Sequence, residues 1–123
     1  MHFSLESLLK DFAIAPEAIT PVTIKQTDFP FRETTLGECY FNSVMAVAQS
    51  QCKFEYALGI ARDKDGIFYC HAFVYDTENE CYYDPTWGVD NTHSYWVFKV
   101  WNYLELQGHI RKFEQAPMLH HFQ

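Results

Sequence analysis

The sequence predicts an α+β fold in which one cysteine-bearing helix packs on a small antiparallel sheet. Two observations carry that expectation. Apolar side chains in residues 37–51 recur at helical spacing, and residues 54–84 hold three short apolar runs separated by polar turn signals. A chain of 123 residues suits one domain, residues 1–123, with a core that needs no disulfide staples. Aromatic residues make up 18% of it, so that core should be bulky for its length.

Taken in order, residues 4–12 begin with Ser4, a good helix cap, and carry the stripe Leu5, Leu8, Leu9 and Phe12, which reads as a short helix. Residues 15–31 contain Pro16, Pro21 and Pro30 and no helical period. Only residues 21–24 look like a brief edge strand there. Residues 32–36 then lead into Gly37, whose missing Cβ suits a sharp turn beside a reactive loop.

From Cys39 the residues Phe41, Val44, Met45 and Ala48 fall at i, i+3, i+4 and i+7 and are expected to form the buried face of a helix. Cys39 would occupy its first turn, where unpaired backbone N–H groups and the helix dipole favour thiolate over thiol, more so with a histidine nearby. Cys52 reads as the end of this helix.

Residues 54–62 form an apolar run that stops at Asp63-Lys64-Asp65-Gly66, a turn in which Gly66 can take positive φ. Residues 67–75 follow as a strand. Alternation places Ile67, Tyr69, His71, Phe73 and Tyr75 on one face and Phe68, Cys70, Ala72 and Val74 on the other. Both faces are apolar, so a central strand with a semi-buried His71 is expected, and Cys70 and Cys81 should pack within the sheet. Residues 76–79 make a polar turn into residues 80–84, giving three antiparallel strands. Pairing about the centre of that turn sets His71 nearly opposite Asp84. Residues 88–91 read as loop, with Thr92 and Ser94 available as caps. In residues 95–107 the aromatics and valines favour a strand, while the length, the apolar residues on most sides and Gly108 at the end suit a buried helix, which is the reading expected; residues 111–123 read as a loosely held tail.

Two motifs stand out. His71 lies in Tyr69-Cys70-His71-Ala72-Phe73-Val74-Tyr75, and Asp84 in Tyr82-Tyr83-Asp84-Pro85-Thr86-Trp87. With Cys39 upstream, this resembles the transglutaminase core within the papain-like cysteine enzymes, whose histidine strand reads His-Ala-Trp plus a hydrophobic run and whose aspartate strand ends Asp-Pro-Thr. The resemblance spans residues 37–87, a little under half the chain. Phe73 stands where the histidine strand of that family usually has tryptophan, and the connection from His71 to Asp84 is short.

The resemblance implies a papain-like fold and an acyl-transfer reaction through a thioester, as in transglutaminases, deamidases, cysteine peptidases and, more distantly, arylamine N-acetyltransferases. The roles follow from the residue types. Cysteine supplies an easily ionised nucleophile, histidine titrates nearest neutrality and carries the proton, and a carboxylate fixes the imidazole. Cys39, His71 and Asp84 are therefore the expected catalytic residues. The backbone N–H of Cys39 is the natural first oxyanion donor. Gln26, Asn42 and Trp87 are candidates for oxyanion or substrate contacts, although Asn42 is equally explained as a polar residue exposed at the helix start. The expected substrate is a protein or peptide amide, either a peptide bond or a glutamine side chain.

Composition narrows the partners. A formal charge of −7 argues against nucleic acid and anionic membranes, both of which need a basic face. Residues 1–12 mix Glu6, Lys10 and Asp11 among apolar residues, unlike a secretory signal, so a cytoplasmic, reducing location with free thiols is expected. The cysteines and His71 lack Cys-x-x-Cys or His-x-x-x-His spacing, so neither metal nor cofactor is expected. His120-His121 reads as a solvated terminus. The alternative to an enzyme is a catalytically inactive core used for protein binding, with Trp87, Tyr95, Trp96 and Trp101 as its recognition surface.

Overall fold

Turn chemistry and β-branched or aromatic runs build the sheet, and small residues decide how tightly it bends. The computed structural model describes residues 2–25, 38–87 and 94–123. The elements in chain order are α1 (Leu5–Asp11), β1 (Thr20–Val22), α2 (Cys39–Gln49), β2 (Phe54–Arg62), β3 (Phe68–Asp76), β4 (Cys81–Tyr83), β5 (Ser94–Trp101) and α3 (Tyr103–Phe113). The fold is α+β. No helix among the described residues is long and apolar enough to cross a membrane.

The five strands lie in the order β1-β5-β2-β3-β4, every neighbouring pair antiparallel. Just beyond β1, Ile24 bridges to Tyr82 of β4 in parallel, and the Lys25 N–H donates to the Tyr82 carbonyl at 2.8 Å. The two edges of the sheet therefore meet, and the sheet curls into a small, nearly closed barrel. Its concave face is lined by Ala57, Ala61, Phe73 and Tyr95, with Val22, Ile24, Trp87 and Val97 against them. The two alanines leave the room that the aromatic rings fill.

The convex face carries the larger core. Tyr56, Leu58 and Ile60 of β2 and Ala72 and Val74 of β3 pack there with Ala46 and Val47 of α2, Leu8 of α1 and Leu106 of α3. A bulge in β5 separates the pairs Leu58–Lys99 and Gly59–Val97, leaving Phe98 as the extra residue. Gly59 is required at this point: a Cβ there would lie 1.8 Å from the Trp96 carbonyl oxygen.

Several expectations are met. Ser4 caps α1, its Oγ accepting from the Ser7 N–H at 3.1 Å. Residues 20–22 form an edge strand, and Gly66 has a φ of 83°. Others are corrected. As expected, β3 lies inside the sheet between β2 and β4, but it pairs with β4 only from Val74 to Asp76, so the His71 half of β3 has no β4 partner beside it. Residues 95–107 are not one helix. Aromatic and β-branched side chains keep residues up to Trp101 extended, and Asn102 then opens α3 with a capping box to Glu105. Gly108 lies inside that helix, not after it.

The C-terminal residues are held, not loose. Leu119 is buried in a 3-10 turn, Leu119–Phe122, whose His121 Nδ1 lies 2.9 Å from His109 Nε2 of α3. Gln123 reaches the Asp11 carbonyl of α1 at 3.0 Å.

The largest correction concerns α2. Its buried residues are Cys39, Asn42, Ser43, Ala46 and Val47, while Phe41 is 59% and Met45 38% exposed. Both stripes, 39-42-43-46 and 41-44-45-48, satisfy i, i+3, i+4, i+7. Hydropathy favoured the second, but the small and polar stripe is the one that lets the helix approach the sheet and aims Cys39 inward. The expectations for Gln26, residues 32–36, Gly37, residues 88–91 and Thr92 lie outside the described residues.

Candidate active site

Three elements bring one candidate side chain each to the same place. Cys39 is the first residue of α2, His71 sits in the part of β3 that β4 does not cover, and Asp84 directly follows β4. All three are buried, with Cys39 8%, His71 2% and Asp84 3% exposed.

His71 Nε2 lies 2.8 Å from Asp84 Oδ2. A carboxylate only accepts, so Nε2 carries the proton and donates it. Cys39 also acts on the imidazole, and with Nε2 engaged by Asp84 the ring nitrogen left to face it is Nδ1. The pair is not directly opposite across the hairpin. The ladder pairs Val74 with Tyr83, and one further step would set Phe73 beside Asp84, so the histidine meets the carboxylate diagonally.

Asp84 is held by four donors. Oδ2 accepts from His71 and from the Tyr95 hydroxyl, at 2.5 Å, while Oδ1 accepts from the backbone N–H groups of Thr86 at 2.9 Å and Trp87 at 3.1 Å. Burial opposes its charge. The neighbouring His71, the Tyr95 hydroxyl and the Thr86 N–H outweigh that and hold the carboxyl below its usual range. For His71, burial again opposes the charged form. The Asp84 charge and hydrogen bond, followed by the contact with Cys39, reverse the sign and raise the imidazole from its ordinary 6.5 to about 9.

Asn42 is not exposed at the helix start. It is buried, and its Nδ2 donates to Thr86 Oγ1 at 3.0 Å, which ties α2 to the turn that carries Asp84. Trp87 lies over the imidazole, ring centroids 4.4 Å apart and planes 30° apart, and meets Tyr69 edge-on at 6.1 Å. Tyr95 and Trp101 are buried, so they form no recognition surface with Trp87 and Trp96.

A cavity of about 480 Å³ opens at this point, lined by Cys39, His71, Thr86, Trp87, Tyr40, Tyr69 and Cys70, with the Asp63–Asp65 turn at its lip. Glu38 precedes α2 without making a side-chain cap, so no side chain of the cap residue occupies the first N–H groups of the helix. All four cysteines are free.

Compared with family profiles, characterised proteins and solved structures, the chain gives no significant match. The geometry of the site therefore stands on its own.

Sequence reasoning missed two members of the site. Thr86 lies inside the quoted Asp-Pro-Thr run, so its partnership with Asn42 had a local signal. Tyr95 had none, because the register that brings β5 beside β2 is set by the bulge at Phe98 and not by any motif.

Proposed function

We propose that this chain is a cysteine-dependent acyl-transfer enzyme with a transglutaminase-like, papain-like core. Its substrate would be a protein or peptide amide, a peptide bond or a glutamine side chain, processed as peptidase, deamidase or transamidase. The single observation that carries this reading is the chain of contacts from Cys39 through His71 to Asp84, assembled from three separate elements at one cavity.

In this reading the Cys39 sulfur attacks the amide carbon and the carbonyl π electrons move to oxygen. The backbone N–H of Cys39, at an uncapped helix start, receives the oxyanion. Collapse expels the amine, which takes a proton from His71 Nδ1, and leaves a thioester on Cys39. Water or an amine then attacks that thioester, His71 takes its proton, and the sulfur departs. Asp84 holds Nε2–H throughout, so the base is always Nδ1. Trp87 shields the imidazole, and the aromatic walls of the cavity favour a substrate with an apolar flank. A reducing, cytoplasmic setting suits a free nucleophilic thiol.

The test is alkylation of Cys39 by iodoacetamide across pH, with His71→Ala alongside. An active site labels quickly at about pH 6 and loses that reactivity with His71; a protein-binding module labels only as an ordinary thiol does, in both proteins. Incubation with peptide amides and intact mass measurement then looks for the thioester.

A further inference from the structure

We propose that Cys70 is the resolving thiol for Cys39: after a hydroperoxide oxidises Cys39, Cys70 closes on it as a disulfide and shuts the site reversibly. Of the four free cysteines, these two line the same cavity. Cys52 is exposed beyond the far end of α2, and Cys81 opens β4 away from that cavity. Cys70 is half-buried and packs on the core cluster that contains Cys39. Tyr40, next to Cys39 in the chain, lines the same cavity wall as both thiols.

The two thiols are unequal, and that fixes the order of events. Cys39 has an imidazolium beside it, whereas burial pushes the Cys70 thiol up to about 11 and keeps it protonated and unreactive toward peroxide at neutral pH. The Cys39 thiolate attacks one oxygen of hydrogen peroxide, the O–O bond breaks to give Cys39–SOH, and the hydroxide released takes the imidazolium proton of His71 to become water. The Cys70 sulfur then attacks the sulfenic sulfur, the S–S bond forms, and the displaced hydroxyl leaves as water with the Cys70 proton. Overall, two thiols are oxidised, one peroxide is reduced and two waters are produced.

Strand alternation turns Cys70 and His71 to opposite faces of β3. Closing the disulfide therefore draws the Cys39 sulfur away from the imidazole, and the site loses its base as well as its nucleophile. The proposal requires a nucleophilic thiol at Cys39, not acyl transfer, so absence of a thioester would leave it standing.

The experiment treats the reduced protein with an equimolar amount of hydrogen peroxide at neutral pH, then maps cross-links by peptide mass and counts iodoacetamide labelling of Cys39 before and after dithiothreitol. Expected is a Cys39–Cys70 cross-link, with labelling restored by the reductant. In Cys70→Ser and Cys70→Ala the sulfenic acid has no partner and proceeds to sulfinic acid, so recovery falls by roughly tenfold. A wild-type cross-link that joins any other pair, or no cross-link with equal recovery in all proteins, overturns the proposal. The wild-type map decides the matter even where a Cys70 variant folds poorly.

Discussion

Asn42 and Thr86, far apart in the chain, meet through a 3.0 Å hydrogen bond that is buried between the cysteine helix and the aspartate turn. This bond links the positions of Cys39 and the Asp84 carboxylate, because Cys39 lies one helical turn from Asn42 and the Thr86 N–H binds Asp84. Asn42→Ala leaves the Thr86 hydroxyl short of a buried partner and should cost about 1–3 kcal/mol in urea denaturation. Cys39 alkylation at about pH 6 should slow with it. In a double-mutant cycle with Thr86→Val, the two changes should couple by at least roughly 0.5 kcal/mol. Additive effects would mean the bond positions nothing.

The histidine–aspartate pair makes stability depend on pH in a direction that can be worked out. His71 rises from 6.5 to about 9 on folding, so its contribution is complete below about 6.5 and fades as pH climbs through about 9. Asp84 is lowered, so its contribution is present above the ordinary carboxylate range and is lost as pH falls through its folded value. The stability difference between the wild type and Asp84→Asn should therefore be largest between about pH 4 and 6.5 and should shrink on the alkaline side. A direct check is the His71 ring signal in NMR, whose midpoint should lie near 9 in the wild type and well below that in Asp84→Asn. A wild-type midpoint at the ordinary histidine value would remove the pair from the argument.

How much of this was legible in the sequence follows from which signals are local. The hairpin strands, the Asp63–Gly66 turn and the Ser4 cap were readable because each rests on spacing or turn chemistry within a few residues, and the meeting of His71 with Asp84 was expected from the motifs around them. The face of α2 was not. Two stripes shared the same period, and tertiary packing chose the one with Asn42 and Ser43 because those side chains are small or find partners across the fold. Residues 95–107 misled for a related reason: bulky side chains on all sides fit a buried helix and a strand flanked by two cores equally well. The Asn102–Glu105 capping box was the local clue that a new helix starts there. Closure of the barrel through Ile24 and Tyr82 is a long-range event with no local signature.

Gly59 lies in β2 between β3 and β5, paired with His71 on one side and Val97 on the other. A methyl group placed there would meet backbone, the Trp96 carbonyl at 1.8 Å, and backbone does not swing aside as a flexible side chain would. Gly59→Ala should cost at least about 2–3 kcal/mol, at the upper end of overpacking effects. It should also disturb the His71 ring signal, because relief requires β2 or β5 to shift beside it. Unchanged thermal stability would show that the bulge absorbs the added volume.

Tyr95 supplies one of two donors to Asp84 Oδ2, and it does so from a strand that touches neither Cys39's helix nor the aspartate turn in sequence. Tyr95→Phe removes only that hydroxyl and keeps the ring contacts with Phe73, His71 and Trp87. With one donor fewer, the carboxylate is less well stabilised, so the acid limb of the stability curve should move to higher pH and the protein should lose about 1–3 kcal/mol near neutrality. The Nε2–H bond from His71 remains, so the imidazole keeps its tautomer and Cys39 should still label faster at about pH 6 than it does in His71→Ala. If Tyr95→Phe instead matched His71→Ala in labelling, the hydroxyl would be holding the geometry of the whole site and not merely the charge of Asp84.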